Sequence, residues 1–288
     1  MRVFFLGLGY CAEALIRWTP SIEPSGTART DKRVAALRAA GVEAVAFDGA
    51  QADAALDQAL ERAEAVVISI PPRAAAAQAA ESLAQTFRRA QTLGRIVYYS
   101  TVGVYGEHGG HWVDERSATL TRSERGLARL ADERRWMALG AALRVPVDVL
   151  RLPGIYGPGR NALRRLREGD ARRIVKPGHV ANRAHVDDIA EVTRLVLEGA
   201  LEGQIWNVAD DEPAPPQDVI VYAAGLLGVP PPLEEFFDAA GLSEMSASFF
   251  ADEKRVSNAK AKALIGFAPL YPSYREGLRA LFEAGEGG

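Results

Sequence analysis

Short apolar runs alternate with longer amphipathic stretches through the first half of the chain. The apolar runs, rich in Val, Ile and Phe, predict strands at 2–6, 25–28, 43–47, 65–70, 95–100 and 147–152. Helical periodicity predicts helices at 12–18, 31–40, 52–63, 73–93 and 121–139. Because continuous apolar strands between helices are typical of parallel sheets covered on both faces, the pattern predicts an α/β, doubly wound sheet of the Rossmann type.

The pattern becomes irregular after Pro153. Pro and Gly clusters at 154–160, 177–178, 213–216 and 230–232 indicate a loop-rich region, interrupted by a predicted helix at 187–201 and a predicted strand at 204–208. We therefore expect a smaller, discontinuous C-terminal lobe beside the first domain. The expected boundaries are 1–155 for the Rossmann domain, with 181–212 returning to it, and 156–180 plus 213–288 for the lobe.

The composition and charge of this 288-residue chain argue against several classes of binding partner. The net charge of −3, without any basic block, offers no electrostatic surface for nucleic acid or for an anionic membrane. No uninterrupted apolar run approaches the ~20 residues that span a bilayer, so no membrane segment is expected. The single cysteine, Cys11, cannot form an internal disulfide or a cysteine-based metal site. A cytoplasmic location and no metal are the resulting expectations.

A glycine-rich turn lies directly between the first predicted strand and the first predicted helix. It reads Gly7-Leu8-Gly9-Tyr10-Cys11-Ala12. The first glycine suits a tight turn, the second lets a pyrophosphate approach the backbone, and small Ala12 lets helix and strand pack closely. The turn predicts a dinucleotide site formed by its residues Gly7, Gly9, Tyr10, Cys11 and Ala12, although a merely tight connection remains the alternative.

Three residues that follow strand ends refine this prediction. Arg29 stands where an acidic residue would bind the ribose 2′-hydroxyl of NAD, and an arginine there favours the 2′-phosphate of NADP. Asp48 is placed to reach an adenine edge, and Pro71 lies near the expected cofactor. A solvated arginine before a helix capped by Thr30 or Asp31 is the alternative for Arg29, and ordinary turn chemistry would explain Asp48 and Pro71 equally well. The expected cofactor is NADP in preference to NAD.

The sequence resembles a known family at several points besides the glycine turn. The matching stretches are Ser100-Thr101-Val102-Gly103-Val104-Tyr105-Gly106, Arg151-Leu152-Pro153-Gly154-Ile155-Tyr156-Gly157, Arg183-Ala184-His185-Val186-Asp187-Asp188 and Trp206-Asn207-Val208-Ala209-Asp210. In this order they resemble extended short-chain dehydrogenase/reductases, and more narrowly the NAD-dependent epimerase/dehydratase family. The resemblance implies an NAD(P)-binding Rossmann domain with a small substrate lobe, typically acting on nucleotide sugars.

The resemblance also implies roles for individual residues. Thr101 matches the Ser/Thr that hydrogen-bonds the reacting hydroxyl or carbonyl of the substrate, and Pro153 falls in a cofactor-binding motif. Tyr105 matches a substrate-pocket aromatic, with core packing as the open alternative. Arg160 and Arg183 match positions that face substrate anions, and bridging salt links to Asp187 or Asp188 are their alternative.

Two departures make the chain an atypical member of this family. Redox members carry Tyr-x-x-x-Lys on the helix after the Thr101 loop, where this sequence has Arg125 and Arg129. Arg129 could still hold a ribose or phosphate, but an arginine stays protonated and is a poor proton shuttle. The Asp-Glu pair of the sugar 4,6-dehydratases is replaced by Val102 and Gly103, which argues against that activity.

A replacement acid or base is expected on the polar loop at 106–115. His108 and His111 have the intrinsic pKa for proton transfer near neutrality, although solvated loop histidines are the alternative.

Two functions remain open. The first is an NADP-dependent epimerase or reductase acting on a sugar-like or other carbonyl or hydroxyl small molecule. The second is a non-catalytic NADP-binding sensor. A homodimer is an open possibility for the assembly.

Overall fold

The computed structural model describes residues 1–49, 53–72, 79–243, 247 and 249–286. The first half contains, in chain order, β1 (Arg2–Leu6), α1 (Tyr10–Trp18), β2 (Glu23–Ala28), α2 (Asp31–Ala39), β3 (Glu43–Ala46), α3 (Ala54–Glu61), β4 (Ala65–Ile68), α4 (Ala79–Ser82), α5 (Ala84–Arg89), β5 (Arg95–Thr101), β6 (Trp112–Val113) and α6 (Glu124–Leu143). The second half continues with β7 (Val147–Leu152), β8 (Gly154–Tyr156), α7 (Ala162–Arg167), β9 (Arg173–Val175), β10 (Arg183–His185), α8 (Val186–Glu198), β11 (Ile205–Asn207), α9 (Pro216–Leu227), β12 (Glu234–Phe236), β13 (Arg255–Val256), α10 (Ala259–Ile265) and α11 (Tyr274–Leu281).

Seven parallel strands form the central sheet, in the order β3-β2-β1-β4-β5-β7-β11. Both faces are covered, because one apolar cluster joins the sheet to α1 and α8 while a second joins it to α3, α5 and α6. The central strands are therefore buried on both sides, as the continuous apolar runs require. The predicted α/β doubly wound fold of the Rossmann type is confirmed.

The smaller lobe has its own apolar core. Tyr156 and Leu163 pack there against Ile220, Tyr274 and Leu278, which come from distant parts of the sequence. Three two-stranded pairs, β8–β10, β9–β12 and β6–β13, complete the lobe and its contacts with the Thr101 loop. The lobe is discontinuous, as predicted, because its core exists only once these separate segments meet.

Several predicted elements end at different residues in the structure. The strand predicted at 65–70 ends at Ile68, because the amides of Ser69 and Ile70 both bond to the Leu6 carbonyl at the end of β1. The helix predicted at 73–93 contains α4 and α5, while 73–78 lie outside the described residues. The helix predicted at 121–139 begins one residue after its cap Ser123 and runs on to Leu143. No helix in the described ranges is both long and apolar enough to cross a membrane.

Candidate functional site

The glycine turn forms at the carboxyl end of β1, and Gly7 holds it in place. Gly7 has a φ of +104°, and a Cβ at this position would lie 2.8 Å from the Ser69 hydroxyl. The Gly7 amide donates to the Thr27 hydroxyl at 2.9 Å, and the Ser69 hydroxyl donates to the Gly7 carbonyl at 2.7 Å. Glycine is therefore required here both for backbone conformation and for the close approach of β4.

Gly9 differs from Gly7, because open space lies beside it. Its φ of −112° is accessible to any residue, and a Cβ built there would meet no heavy atom of the described residues within 4 Å. Gly9 is the N-cap of α1, and no side chain among the described residues caps this helix. An uncapped helix N-terminus beside open space fits a diphosphate, because its amides and the helix dipole both favour an anion.

The remaining residues of the turn pack behind it. Ala12 is fully buried, and burial raises the pKa of the Cys11 thiol to about 11, so the thiol is neutral at physiological pH. The Tyr10 hydroxyl donates to the Pro158 carbonyl at 3.0 Å, and the Arg160 guanidinium lies 5.9 Å from the Tyr10 ring centre. The turn is thereby joined to the smaller lobe through Tyr10.

Arg29, Asp48 and Pro71 follow the ends of neighbouring strands β2, β3 and β4. Arg29 is exposed, and its side chain makes no hydrogen bond or ion pair within the ranges that the structure describes. Asp48 is exposed and Pro71 is half-buried. All three positions lie at the same edge of the sheet as the glycine turn, because the strands are parallel.

A cavity of about 930 Å³ opens beside the end of β5, between the Rossmann domain and the smaller lobe. Its walls come from the ends of β5 and β7, the start of α6, the segment before β10 and the segment before β13. The charged residues of this lining are Glu107, Arg122, Arg125, Arg183, Asp252 and Lys254. Thr101, Ser123 and Pro153 also line the cavity.

Thr101 is held firmly at the floor of this cavity. Its hydroxyl accepts a hydrogen bond from the Gly103 amide at 3.1 Å, which caps the short 3₁₀ turn that follows β5. Directly before it, the Ser100 hydroxyl donates to the buried carboxylate of Glu133, which also accepts from Arg151 at 2.9 Å. This buried pair connects α6 to β5 and β7, so it fixes the strand end that presents Thr101.

The two arginines at the Tyr-x-x-x-Lys positions have different surroundings. Arg125 is exposed and lines the cavity. Arg129 is half-buried, and its Nη1 donates to the Tyr99 carbonyl at 2.9 Å, the Tyr98 hydroxyl at 3.1 Å and the Ile70 carbonyl at 3.4 Å. Arg129 thus bridges the ends of β4 and β5, between the glycine turn and Thr101.

Tyr105 and the two loop histidines are not brought to the cavity. Tyr105 is fully buried, its hydroxyl donates to the Asn207 side-chain oxygen at 2.7 Å, and the Arg151 guanidinium lies 4.9 Å from its ring centre. The structure places Tyr105 in the core, which agrees with the alternative of core packing, and the substrate contact stays a prediction. His108 lies against the Ala118 carbonyl and His111 is exposed, because their loop turns away to pair β6 with β13.

Lys254 lines the cavity and was missed by the sequence analysis. Its side chain is only 8% exposed, and its Nζ lies 3.5 Å from an Asp252 carboxylate oxygen. Burial lowers the pKa of Lys254, while Asp252 and Glu107 oppose that shift. No local signal marks this lysine, because it reaches Thr101's cavity only when the segment before β13 folds over the Rossmann domain.

A second cavity of about 590 Å³ lies within the smaller lobe, lined by apolar and aromatic side chains together with Arg160, Arg165, Arg172 and Arg183. Arg183 lines both cavities. Its Nη1 donates to the carbonyls of Ala181 at 2.9 Å and Ala214 at 3.0 Å, and burial lowers its pKa. The structure therefore brings Arg160 and Arg183 to one cavity, with Arg183 between it and the Thr101 cavity.

Residues 44–209 match the NAD dependent epimerase/dehydratase family, which is more than half of the chain. With the Rossmann sheet and the glycine turn described above, this match shows that the chain belongs to that family. It is an atypical member, because arginines replace the Tyr-x-x-x-Lys pair. Family membership supports a nicotinamide dinucleotide as the cofactor.

Two known proteins resemble the chain, one over most of its length and the other over less than half. Protein YeeZ of Escherichia coli (strain K12) is 29% identical over 251 residues, covering 80% of this chain and 85% of that protein. A 3-diazoavenalumate denitrifying reductase of Streptomyces sp is 30% identical over 142 residues, which is 45% of each chain.

Solved structures share the fold. A functionally unknown conserved protein from Silicibacter pomeroyi DSS is 37% identical, covers 99% of both chains and superposes with a TM-score of 0.86. The UDP-glucuronic acid 4-epimerase of Bacillus cereus, solved in complex with NAD, covers 98% of this chain and 96% of that one. Its TM-score is 0.78 at 18% identity, so the likeness concerns the fold alone.

Proposed function

We propose that the protein is an NADP-dependent epimerase or reductase that acts on a small sugar-like or other carbonyl or hydroxyl compound. The observation that carries the proposal is the arrangement at one edge of the sheet. There, an uncapped glycine turn beside open space follows β1, and Thr101, which lines the cavity of about 930 Å³, ends β5; only β4 separates these two strands. A cavity of this size is suited to a small-molecule substrate.

Each residue has a definite task in this proposal. The amides after Gly9 hold the diphosphate, and Arg29 binds the 2′-phosphate of NADP. The nicotinamide, when bound, supplies or accepts the hydride. The Thr101 hydroxyl donates a hydrogen bond to the substrate oxygen at the reacting carbon and orients it. Pro153, at the end of β7, closes the cavity beside the cofactor.

The arginine pair changes the expected chemistry. Arg125 faces the cavity and stays protonated, so it can stabilise a developing negative charge but cannot exchange a proton as tyrosine would. Arg129 donates to two backbone carbonyls and a hydroxyl, which supports a role in fixing the strand ends. His108 and His111 gain no support as the replacement, because neither lines the cavity.

A non-catalytic NADP-binding sensor is the second candidate. The observation that favours it is the missing tyrosine, whose position Arg125 occupies. The open cavity at Thr101 favours the enzyme instead, because a protein that only senses the cofactor has no need of a substrate-sized space there.

Titration calorimetry with NADP and NAD separately tests cofactor binding. A screen of carbonyl and hydroxyl compounds at the nicotinamide absorbance band then tests net reduction or oxidation, and chromatography of each reaction mixture tests epimerisation, which leaves the nicotinamide unchanged. We expect NADP to bind more tightly and at least one compound class to change the absorbance or to yield an epimer. NADP binding without any turnover would favour the sensor, and no heat with either dinucleotide would refute both.

The cofactor preference provides the first prediction. Arg29→Asp should reverse the preference, lowering NADP affinity by about 10- to 100-fold, since a charge-assisted hydrogen bond contributes about 1.5–3 kcal/mol. Calorimetry with both dinucleotides measures this change. Arg88→Asp, which makes the same charge change at an exposed site on α5, is the control and should leave the preference unchanged. Equal affinity of the parent protein for both dinucleotides would contradict the assignment of Arg29.

A further inference from the structure

The start of α6 forms one positive wall of the Thr101 cavity. Arg122 and the N-cap Ser123 line the cavity directly before this 20-residue helix, and Arg125 and Gly126 line it from the first turn. The Ser123 hydroxyl accepts from the Gly126 amide at 3.1 Å, so the helix start is well ordered. The helix dipole adds a partial positive charge at this end to the charges of the two arginines.

Lys254 and Arg183 add positive charge from the other walls. Lys254 comes from the segment before β13 and Arg183 from β10, so three separate parts of the chain converge on the cavity. Lys254 is buried, and Arg183 donates from Nη1 to two backbone carbonyls, which hold it in place. The cations are therefore fixed around the space that a substrate would fill.

Two carboxylates line the same cavity and offset part of this charge. The Asp252 carboxylate lies 3.5 Å from Lys254, and the Glu107 carboxylate accepts hydrogen bonds from the amides of Gly109 and Glu253. Among the described residues, the lining thus contains four cationic side chains, Arg122, Arg125, Arg183 and Lys254, against these two carboxylates. The excess is positive, and it faces a space large enough for a ligand.

A buried ammonium group costs free energy unless a counter-charge compensates it. The Asp252 carboxylate, 3.5 Å away, and the Glu107 carboxylate compensate the charge of Lys254 only in part, and the start of α6 brings further positive charge to the same cavity. We propose that the substrate carries an oxyanion, a carboxylate or a phosphate, near its reacting carbonyl or hydroxyl, and that Lys254 and Arg125 bind it. This subsite deepens the proposed function and rests on it, since Thr101 defines the reacting end.

Calorimetry on the NADP-loaded protein tests the subsite with matched probes. Phenylglyoxylate and phenylglyoxylamide share a keto group and a ring, but only the first is an anion, while phenyl phosphate tests the other oxyanion. We expect one of the two anions to bind at least about tenfold more tightly than the amide, which corresponds to about 1.4 kcal/mol. The anion that binds more tightly identifies the oxyanion of the substrate as a carboxylate or a phosphate. Equal binding of all three probes, or no binding by either anion, would overturn the proposal.

Variants assign the preference to individual residues. Lys254→Gln and Arg125→Gln should each remove most of the tenfold preference for the anion and leave the affinity for the amide unchanged. Lys262→Gln, which removes an exposed lysine paired with Asp211, is the matched control and should keep the preference. Arg125 is exposed at the helix start, so its variant is informative even if the Lys254 variant does not fold. Retention of the preference in Arg125→Gln and in any folded Lys254 variant would refute the assignment.

The same measurements separate this proposal from the proposed function. NADP binding is titrated first and depends on the glycine turn and Arg29, none of which lines this cavity. If NADP fails to bind, the proposed function fails, and anion binding by the cofactor-free protein still tests the cavity. If NADP binds but the anion preference is absent, only the oxyanion subsite is lost.

Discussion

At the scale of single residues, Gly7 and Gly9 are present for different physical reasons. Gly7 has a positive φ and no room for a side chain, so it serves the fold. Gly9 has an ordinary φ and open space around it, so the fold does not require it. The open space at Gly9 is instead what a bound diphosphate would need.

Gly9→Asp should therefore abolish cofactor binding without harming the fold. Aspartate is a favourable N-cap, so the free energy of unfolding should stay equal or rise by a few tenths of a kcal/mol (~0.3). NADP affinity should fall by about 100-fold or more, because the carboxylate occupies and repels the diphosphate site. Urea unfolding and calorimetry measure the two effects.

Gly7→Ala is the matched contrast, and it should destabilise the protein by about 1–3 kcal/mol because alanine is strained at this φ. A Gly9→Asp protein that binds NADP normally would show that the diphosphate lies elsewhere.

At the scale of elements, α8 begins with an unusual cap. The N-cap His185 is 1% exposed, and its Nδ1 accepts a hydrogen bond from the Asp187 amide at 3.2 Å. Burial lowers the pKa of His185 to about 4, although the Asp187 carboxylate opposes that shift. The imidazole is therefore neutral at pH 7, which allows Nδ1 to act as the acceptor. His185 serves the helix start and not proton transfer.

This cap predicts a pH dependence of stability. Between pH 6.5 and about 4, His185 binds a proton in the unfolded chain but not in the folded protein. The stability that the neutral His185 contributes is therefore complete above pH 6.5 and is lost as the pH falls towards 4. The loss is at most about 3 kcal/mol. His185→Asn keeps a cap but removes the titration, so its stability relative to wild type should rise on going from pH 7.5 to 4.5 in urea unfolding. A pH profile of His185→Asn that runs parallel to that of the wild type would contradict the prediction.

At the scale of the whole molecule, the two edges of the sheet have separate tasks. The glycine turn, Arg29 and Thr101 lie at the carboxyl edge. At the opposite edge, the buried Asp148 carboxylate accepts from Arg95 Nε at 3.0 Å, Trp206 Nε1 at 3.0 Å and the Gln204 amide at 2.9 Å. These bonds join β5, β7 and β11, so this edge contributes to stability.

Asp148→Asn should accordingly lower stability and leave function intact. Removing one partner of a buried ion pair costs about 3–5 kcal/mol, because Arg95 keeps its charge in the core. The dissociation constant for NADP should stay unchanged below the unfolding transition. Glu43→Gln, which breaks an exposed pair with Arg62, is the control and should cost less than about 1 kcal/mol. A large loss of NADP affinity in folded Asp148→Asn would show that the two edges are coupled.

Much of the fold was predictable because its signals are local. Continuous apolar runs specify strands that are buried on both faces, and turn chemistry fixes the position of the glycine turn within a few residues. Strand and helix ends were less certain. The end of β4 depends on bonds to β1, and the two helices α4 and α5 break at Leu83 in a sequence that reads as one helix.

The sequence by itself determined the Rossmann fold, the family and the positions of Gly7, Gly9 and Thr101, because each follows from neighbours in the chain. Only the tertiary structure decided which side chains face the cavity. Tyr105 and the loop histidines are near Thr101 in sequence but turn away from its cavity, while Lys254 is about half the chain length away and lines it. The physical reason is that burial and electrostatic environment depend on segments that meet only after folding, and a linear pattern does not record those contacts.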